Sequence, residues 1–153
     1  MPPVTVGSVA PDFTLDSTSG AKVTLSEYRG KTNVLIAFFP MAFTSVCTEE
    51  LCRFSEEFDA FAAKDVTVLP ISVDMIPSLK EFKAKFGMQA ELASDMRREV
   101  SRAYGTLIEE KWFSNRAYFL IDKAGVVRWA HVEANPGQRR ENAEILSAIA
   151  ALN

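Results

Sequence analysis

The spacing of apolar residues along this chain alternates between a pattern typical of strands and one typical of helices. Residues 33–40, NVLIAFFP, form a continuous apolar run that ends at a proline, and residues 66–74, VTVLPISVD, form a second run. Runs of this length, rich in β-branched side chains, predict central strands that are covered on both faces. Two further runs, residues 117–122 and 126–132, flank Lys-Ala-Gly and predict a hairpin with a three-residue connection.

Helical spacing dominates between these runs. From residue 45 to about residue 64 one apolar stripe predicts a single amphipathic helix; its members are Cys47, Leu51, Phe54, Phe58 and Phe61. Shorter helices are predicted over residues 78–86 (with Gly87 as a stop signal), 96–104 and 142–152. Residues 12–25 contain two short β-favouring pieces around Ser-Thr-Ser-Gly and predict an N-terminal hairpin. Together these elements predict a three-layer α/β domain with a mixed sheet.

Composition and charge narrow the classes of function. The chain has 153 residues, 48% hydrophobic and 24% charged, without repeats or a long linker, so we expect one domain over residues 1–153. The net charge is -3 and there is no basic stripe, which argues against nucleic acid as a partner. The sequence has neither a signal-peptide pattern nor an apolar run that could span a bilayer, so we expect a soluble cytoplasmic protein without membrane contact.

The chain has two cysteines, Cys47 and Cys52, near the start of the long predicted helix. Thr44 or Ser45 is suited to the N-cap position, which places Cys47 in the first helical turn. Free N–H groups and the helix dipole stabilise a thiolate there, so Cys47 is a candidate nucleophile. An inert cysteine that continues the apolar stripe explains the same position equally well.

The spacing of the two cysteines constrains how they could react. Ideal helix geometry separates their Cα atoms by about 8.6 Å, which exceeds the ~7 Å limit for a disulfide without backbone movement. Cys47 and Cys52 could therefore bond only if the first turns of the helix unwind, and on spacing alone a spectator role for Cys52 is the simpler interpretation. A zinc site or a Cys–His catalytic pair would depend on His131, the only histidine, in a distant predicted strand. We therefore expect no metal, and an arginine as the group that activates Cys47.

A motif links this chain to a known family. The segment Pro40-Met-Ala-Phe-Thr44-Ser-Val-Cys47 matches the P-x-x-x-[T/S]-x-x-C motif of peroxiredoxins, which are thiol peroxidases with a thioredoxin-like fold. The resemblance extends over nearly the whole chain and includes APDFTL (10–15), PISVD (70–74) and SNRAYFLIDKAGVVR (114–128). It implies a thioredoxin-like fold in which the hairpin of residues 12–25 is an N-terminal extension.

The resemblance implies a role for each matching residue. Cys47 would attack hydrogen peroxide or an alkyl hydroperoxide and become a sulfenic acid, while Thr44 would hold the thiolate and the incoming oxygen. Pro40 would shield the site from water, and Arg116 would donate to sulfur and peroxide. Glu50 lies where many relatives have an acidic residue near the site arginines, although an interaction with the helix dipole explains it as well. Three further arginines could join the site but are more simply explained as surface residues: Arg97, Arg102 and Arg128.

Two subgroups of the family share features with this chain. The residues of the motif, PMAFTSVC, resemble those of the AhpE-like subgroup, some of whose members lack a resolving cysteine. The C-x4-C spacing resembles the bacterioferritin-comigratory (peroxiredoxin Q) subgroup, in which a second cysteine in the same helix resolves the first. Because these subgroups differ in assembly, both a monomer and a homodimer stay open.

The resemblance favours Cys52 as the resolving cysteine. Cys52 would form an intramolecular disulfide with Cys47, and thioredoxin or a similar dithiol would reduce it. No cofactor is implied, because sulfur carries the electrons. A one-cysteine enzyme with Cys52 as a bystander is the alternative, and a non-enzymatic thioredoxin-fold binding module is a remote one.

Overall fold

The structure, a computed structural model, describes residues 2–152, in which strands and helices alternate largely as predicted. The strands are β1 (Thr14–Ser17), β2 (Lys22–Thr24), β3 (Asn33–Phe38), β4 (Val66–Ser72), β5 (Ala93–Ser94), β6 (Leu107–Ile108), β7 (Phe113–Ser114), β8 (Ala117–Ile121) and β9 (Val127–Val132). The helices are α1 (Ser45–Glu56), α2 (Phe58–Ala63), α3 (Ile76–Phe86), α4 (Glu99–Ala103) and α5 (Asn142–Ala150), and a 3-10 turn (Leu25–Tyr28) follows β2.

A seven-stranded mixed sheet organises the described residues in the order β2-β1-β5-β4-β3-β8-β9. Strands β3, β4 and β5 are parallel, whereas β8 is antiparallel to β3. The carboxyl end of β3 therefore lies beside the amino end of β8, where Phe38 is opposite Ala117. This pairing brings two distant parts of the sequence together at one end of the central strands.

The side chains of β3 alternate between two apolar layers, as expected for a strand that is covered on both faces. Leu35 and Ala37 pack in a layer with buried residues of α1, α3 and α5. Val34, Ile36 and Phe38 pack in the opposite layer, with Val100 of α4 and residues near the N-terminus. The predicted three-layer architecture with a mixed sheet is thereby confirmed.

The long helix predicted over residues 45–64 is two helices. The break lies at Glu57, whose φ of -108° and ψ of 20° depart from helical values and whose N–H bonds to the carbonyls of Arg53 and Ser55. The apolar stripe still continues across the break, because Phe54 and Phe61 pack edge to face with ring centroids 5.9 Å apart. Stripe spacing therefore predicted most of the buried face, with Phe58 only half-buried, and missed the break in the helix.

The predicted helix over residues 96–104 is shorter than its pattern suggests. Arg98 has a φ of 63°, outside the helical region, so α4 begins only at Glu99. The buried Asp95 caps the N–H groups at the start of α4: its carboxylate accepts those of Val100 and Ser101 at 3.1 and 2.7 Å. Gly87 ends α3 in a left-handed conformation, as predicted. No helix in residues 2–152 has the length and apolar character needed to cross a membrane.

Asp122 organises the connection between β8 and β9, which spans residues 122–126 rather than the predicted three. Its Oδ1 accepts the N–H groups of Ala124 and Val126 at 3.0 Å each, and Arg128 donates to its Oδ2 at 3.2 Å. Burial opposes ionisation, but these bonds prevail and lower the pKa of Asp122. The carboxylate is thus the form that stabilises the turn.

Asp122→Ala is expected to lower the free energy of unfolding by about 2 kcal/mol at neutral pH, because several hydrogen bonds are lost. Because the pKa of Asp122 is lower in the folded than in the unfolded protein, where it is near 3.9, its carboxylate stabilises the fold above that pH and loses this contribution as the pH falls. The stability deficit of the variant should therefore shrink toward about pH 3. Urea unfolding at both pH values measures it. Asp16→Ala, which removes an exposed ion pair with Lys22, is the control and should change stability little. Equal losses in the two variants would contradict this role of Asp122.

Candidate active site

Cys47 lies in the first turn of α1, shortly after the central strand β3, as predicted. Thr44 is the N-cap residue, with an extended backbone and a carbonyl that accepts the N–H of Thr48 at 2.9 Å. Its hydroxyl does not cap the helix and instead donates to the carbonyl of Met41 at 2.8 Å. The N–H groups of the first turn therefore receive no side-chain acceptor from Thr44 and stay available to an anion.

Arg116 contacts Cys47 because β3 pairs with β8. Arg116 immediately precedes β8, and its Nη2 donates to Cys47 Sγ at 2.8 Å. Cys47 is fully buried and Arg116 is only 1% exposed, so water screens the contact little. The guanidinium places a positive charge and a hydrogen-bond donor directly on the sulfur. The structure thus brings together the two residues that the sequence singled out for nucleophile and charge.

Glu50 is the second partner of Arg116. Its Oε1 accepts from Arg116 Nη1 at 2.9 Å, and the carboxyl group is 2% exposed. Burial raises the pKa of Glu50, against the opposing effects of the Arg116 charge and of the hydrogen bonds that the carboxylate accepts. Burial alone would lower the pKa of Arg116, but the charges of Glu50 and Cys47 outweigh it and raise the pKa. Glu50 therefore lies in α1 as the ion-pair partner of Arg116, and an interaction with the helix dipole is a secondary explanation for the position of Glu50.

Contacts that the sequence analysis did not identify complete the surroundings of Arg116. The Tyr118 hydroxyl donates to Glu50 Oε2 and accepts the N–H of Arg140 at 3.0 Å. The carbonyl of Pro136 accepts from Nε and Nη2 of Arg116 at 3.2 and 3.1 Å. Tyr118 could have been found as the next residue on the same face of the strand as Arg116, two positions along the chain, whereas residues 133–140 form an irregular segment without a periodic signal.

The other arginines lie outside this cluster. Arg102 pairs with Glu109 and Arg128 with Asp122, each with a side chain 43% exposed, and Arg97 is also exposed. The surface role predicted for them agrees with the structure. Arg139 was missed: it is 12% exposed and donates to Glu49 Oε1 at 2.6 Å, at the outer side of α1.

The loop over residues 39–44 connects β3 to α1. Pro40 is buried, and the N–H of Ala42 donates to Asp74 Oδ2 at 2.8 Å, which ties the loop to the end of β4. Phe43 has a φ of 67° and its ring lies against Phe82 with centroids 5.0 Å apart. A left-handed backbone at a bulky residue costs roughly 1–2 kcal/mol, so the loop conformation is maintained by its contacts.

Cys52 lies on the same continuous helix, half-buried against the apolar layer of α1, and no disulfide joins the two cysteines. Burial, followed by the nearby charge of Glu56, raises the pKa of Cys52. In the folded helix Cys52 is therefore a weaker nucleophile than an ordinary exposed cysteine.

His131 is in β9 and 34% exposed, with its Nε2 3.0 Å from Glu133 Oε1. Its place in a strand, away from the cysteines, agrees with the prediction. Across residues 2–152 no group of three or more His, Cys, Asp or Glu side chains is arranged to hold a metal ion.

Comparisons with known proteins match the chain to one family. Residues 6–130 match the AhpC/TSA family. The chain is 39% identical over 149 residues to alkyl hydroperoxide reductase E of Mycobacterium tuberculosis, covering 96% of this chain and 97% of that protein. It is 36% identical over 157 residues to a peroxiredoxin of Thermoplasma volcanium, covering 98% and 75%. The reduced 2-Cys peroxiredoxin of Plasmodium vivax is a structural neighbour with a TM-score of 0.90 at 32% identity, covering 98% and 82%.

Proposed function

Since the chain belongs to the AhpC/TSA family of peroxiredoxins and is a thiol-dependent peroxidase with a thioredoxin-like fold, we propose that Cys47 is the cysteine that reduces the peroxide. The observation that carries this proposal is the buried contact of 2.8 Å between Arg116 Nη2 and Cys47 Sγ. Glu50 and the Pro136 carbonyl already satisfy the buried charge of Arg116, as a buried charge requires, so the further contact of its Nη2 with the sulfur is the feature that links this charge to Cys47.

In the first step the thiolate of Cys47 attacks one oxygen of hydrogen peroxide or an alkyl hydroperoxide. An S–O bond forms and the O–O bond breaks, so that Cys47 becomes a sulfenic acid and the substrate leaves as water or an alcohol after taking up a proton. Negative charge moves from sulfur to the departing oxygen, and the donors of Arg116 stabilise it in a site from which Pro40 helps to exclude water. The Thr44 hydroxyl donates its proton to the carbonyl of Met41 and not to the sulfur as expected, so this hydroxyl offers its lone pairs to the O–H of the peroxide.

In the second step Cys52 attacks the sulfenic acid, an S–S bond forms and water leaves. The start of α1 must unwind for this, and two features support such a movement: Thr44 does not cap the helix, and the loop before it contains the left-handed Phe43. Unwinding would also bring Cys52 into water and remove the burial that raises its pKa. Thioredoxin or a similar dithiol would then supply two electrons by thiol–disulfide exchange.

The setting of this cycle follows from its chemistry. We propose that the protein acts in the cytoplasm, where dithiol reductants keep thiols reduced. We also propose that residues 1–153 act as one domain, because helices on both faces pack against the same central strand, β3. The cycle uses no metal or organic cofactor, since the two sulfurs carry the electrons.

The intact mass of the reduced protein after one equivalent of hydrogen peroxide, without added thiol, tests the cycle. We expect the loss of two hydrogen atoms and a peptide in which Cys47 and Cys52 are joined. A doubled mass would instead show resolution between chains, and a stable oxygen adduct on Cys47 would show that Cys52 does not resolve it. An unchanged mass would overturn the role of Cys47 itself.

Cys52→Ser is expected to reduce steady-state turnover with thioredoxin at least tenfold, while the oxidation of Cys47 in a single turnover stays at the wild-type rate, because only the second step is lost. Consumption of peroxide and quenched single-turnover mass spectra measure the two rates. Ser55→Ala, at a half-buried position three residues further along α1, is the matched control and should keep both rates. Full turnover of the Cys52 variant with thioredoxin would contradict the two-cysteine cycle.

A one-cysteine enzyme is the second candidate, and the state of Cys52 in the folded helix favours it. Cys52 packs against the apolar layer, and burial together with Glu56 raises its pKa, both of which suit an unreactive residue. In this case an external thiol would attack the sulfenic acid directly. Turnover of the Cys52→Ser variant with a small thiol would then equal that of the wild type. The non-enzymatic binding module is excluded, because the chain is a peroxidase.

A further inference from the structure

The Tyr118 hydroxyl joins two supports of Arg116 that are separate in sequence. We propose that Tyr118 is a positioning residue for peroxide reduction, which holds Glu50 and the loop after β9 and thereby aims Arg116 at Cys47. This inference rests on the proposed function of Cys47. It concerns a residue that touches neither the sulfur nor the incoming peroxide.

The Tyr118 hydroxyl makes one hydrogen bond as a donor and one as an acceptor. Tyr118 is fully buried on β8, two residues after Arg116, and its ring lies 6.2 Å from that of Trp129 between centroids. Its oxygen accepts the N–H of Arg140 at 3.0 Å, and its proton is donated to Glu50 Oε2. Burial, and then the charge of Glu50, raises the pKa of Tyr118, so the phenol keeps the proton that it donates.

The first support passes through Glu50. One carboxylate oxygen, Oε2, is held by Tyr118, and the other, Oε1, accepts from Arg116 Nη1 at 2.9 Å. A carboxylate that is held at both oxygens cannot rotate freely, so the direction of the guanidinium fork is set. The remaining arm of the fork, Nη2, then lies 2.8 Å from Cys47 Sγ.

The second support passes through the loop after β9. The hydrogen bond from the Arg140 N–H to Tyr118 ties this loop to the sheet. The same loop provides the carbonyl of Pro136, which accepts from both Nε and Nη2 of Arg116. Arg140 is tied further by its Nε, which donates to the buried Glu133 at 2.9 Å. Loss of the hydroxyl should therefore loosen Arg116 from two sides at once.

Tyr118→Phe tests the inference, because it keeps the ring and removes only the hydroxyl. We expect the rate constant for oxidation of Cys47 by hydrogen peroxide, measured in single turnover, to fall about tenfold, since the hydrogen bond lost goes to a charged group. Tyr104→Phe is the matched control: Tyr104 is also fully buried, and its hydroxyl donates to the carbonyl of Pro11 at 2.7 Å in the opposite apolar layer. This control should lose similar stability and keep the wild-type rate.

A double-mutant cycle separates positioning from a general loss of structure. In a Glu50→Gln background Tyr118→Phe should slow the reaction by a clearly smaller factor than in the wild type, because only the support through the loop after β9 is then left to lose. Fully additive effects, or equal rates in Tyr118→Phe and the wild type, would overturn the inference. Cys47→Ser must abolish the reaction; oxidation by peroxide that persists in this variant would overturn the proposed function and this inference with it.

Discussion

Lysine in place of Arg116 is expected to lower the rate constant for oxidation of Cys47 by hydrogen peroxide about 10²-fold, as does the loss of a fixed donor in other enzymes. Lysine keeps the positive charge but has one nitrogen, which cannot lie on Cys47 Sγ, Glu50 Oε1 and the Pro136 carbonyl together as the guanidinium does. The variant therefore isolates the geometry of the fork from its charge. Stopped-flow mixing of the reduced protein with peroxide measures the rate.

Arg102→Lys is the control for this experiment. Arg102 is exposed and pairs with Glu109 at the surface, so the same change of side chain there should leave the rate unchanged. A rate for Arg116→Lys within about twofold of the wild type would mean that charge alone activates the sulfur. In that case the fork geometry would have no part in the reaction.

The parts of this site that the sequence could predict depend on short-range signals. Cys47 and Thr44 follow the apolar run of β3, and a motif of fixed spacing identifies them together with Pro40. Arg116 was singled out by the resemblance of residues 114–128 to the family, directly before the predicted strand β8. These signals reach only a few residues along the chain, so they predict which residues matter but not the distances between them.

The remaining contacts depend on strand register and on irregular segments. Tyr118 meets Glu50 only because β8 is antiparallel to β3 with Tyr118 opposite Ala37, and no local pattern sets that register. The carbonyl of Pro136 belongs to a loop without periodicity. The helix break at Glu57 and the late start of α4 after Arg98 are likewise backbone events that apolar spacing does not encode. Propensity is a weak guide where tertiary contacts decide.

The largest loss of stability is expected for Arg116→Met. The change leaves Glu50 buried without its charged partner, which lowers the free energy of unfolding by about 3–5 kcal/mol at slightly alkaline pH. The pKa of Glu50 is already raised by burial and should rise further. A raised folded-state pKa contributes stability that is present below the unfolded value near 4.3 and is lost as pH rises, so the deficit should be smaller near pH 5 than near pH 8.

The double variant Arg116→Met, Glu50→Leu shows why the pair is present. Replacing a buried ion pair by apolar residues of similar volume is often neutral, so we expect stability within about 1 kcal/mol of the wild type, the difference reflecting the Tyr118 hydroxyl that loses its acceptor. Urea unfolding at both pH values measures all three proteins. If the double variant were as unstable as Arg116→Met, the lost contact with Pro136 would be the cause instead of the unpaired carboxylate. Recovered stability without peroxidase activity would mean that Arg116 and Glu50 are held in the core for the chemistry of Cys47 and not for the fold.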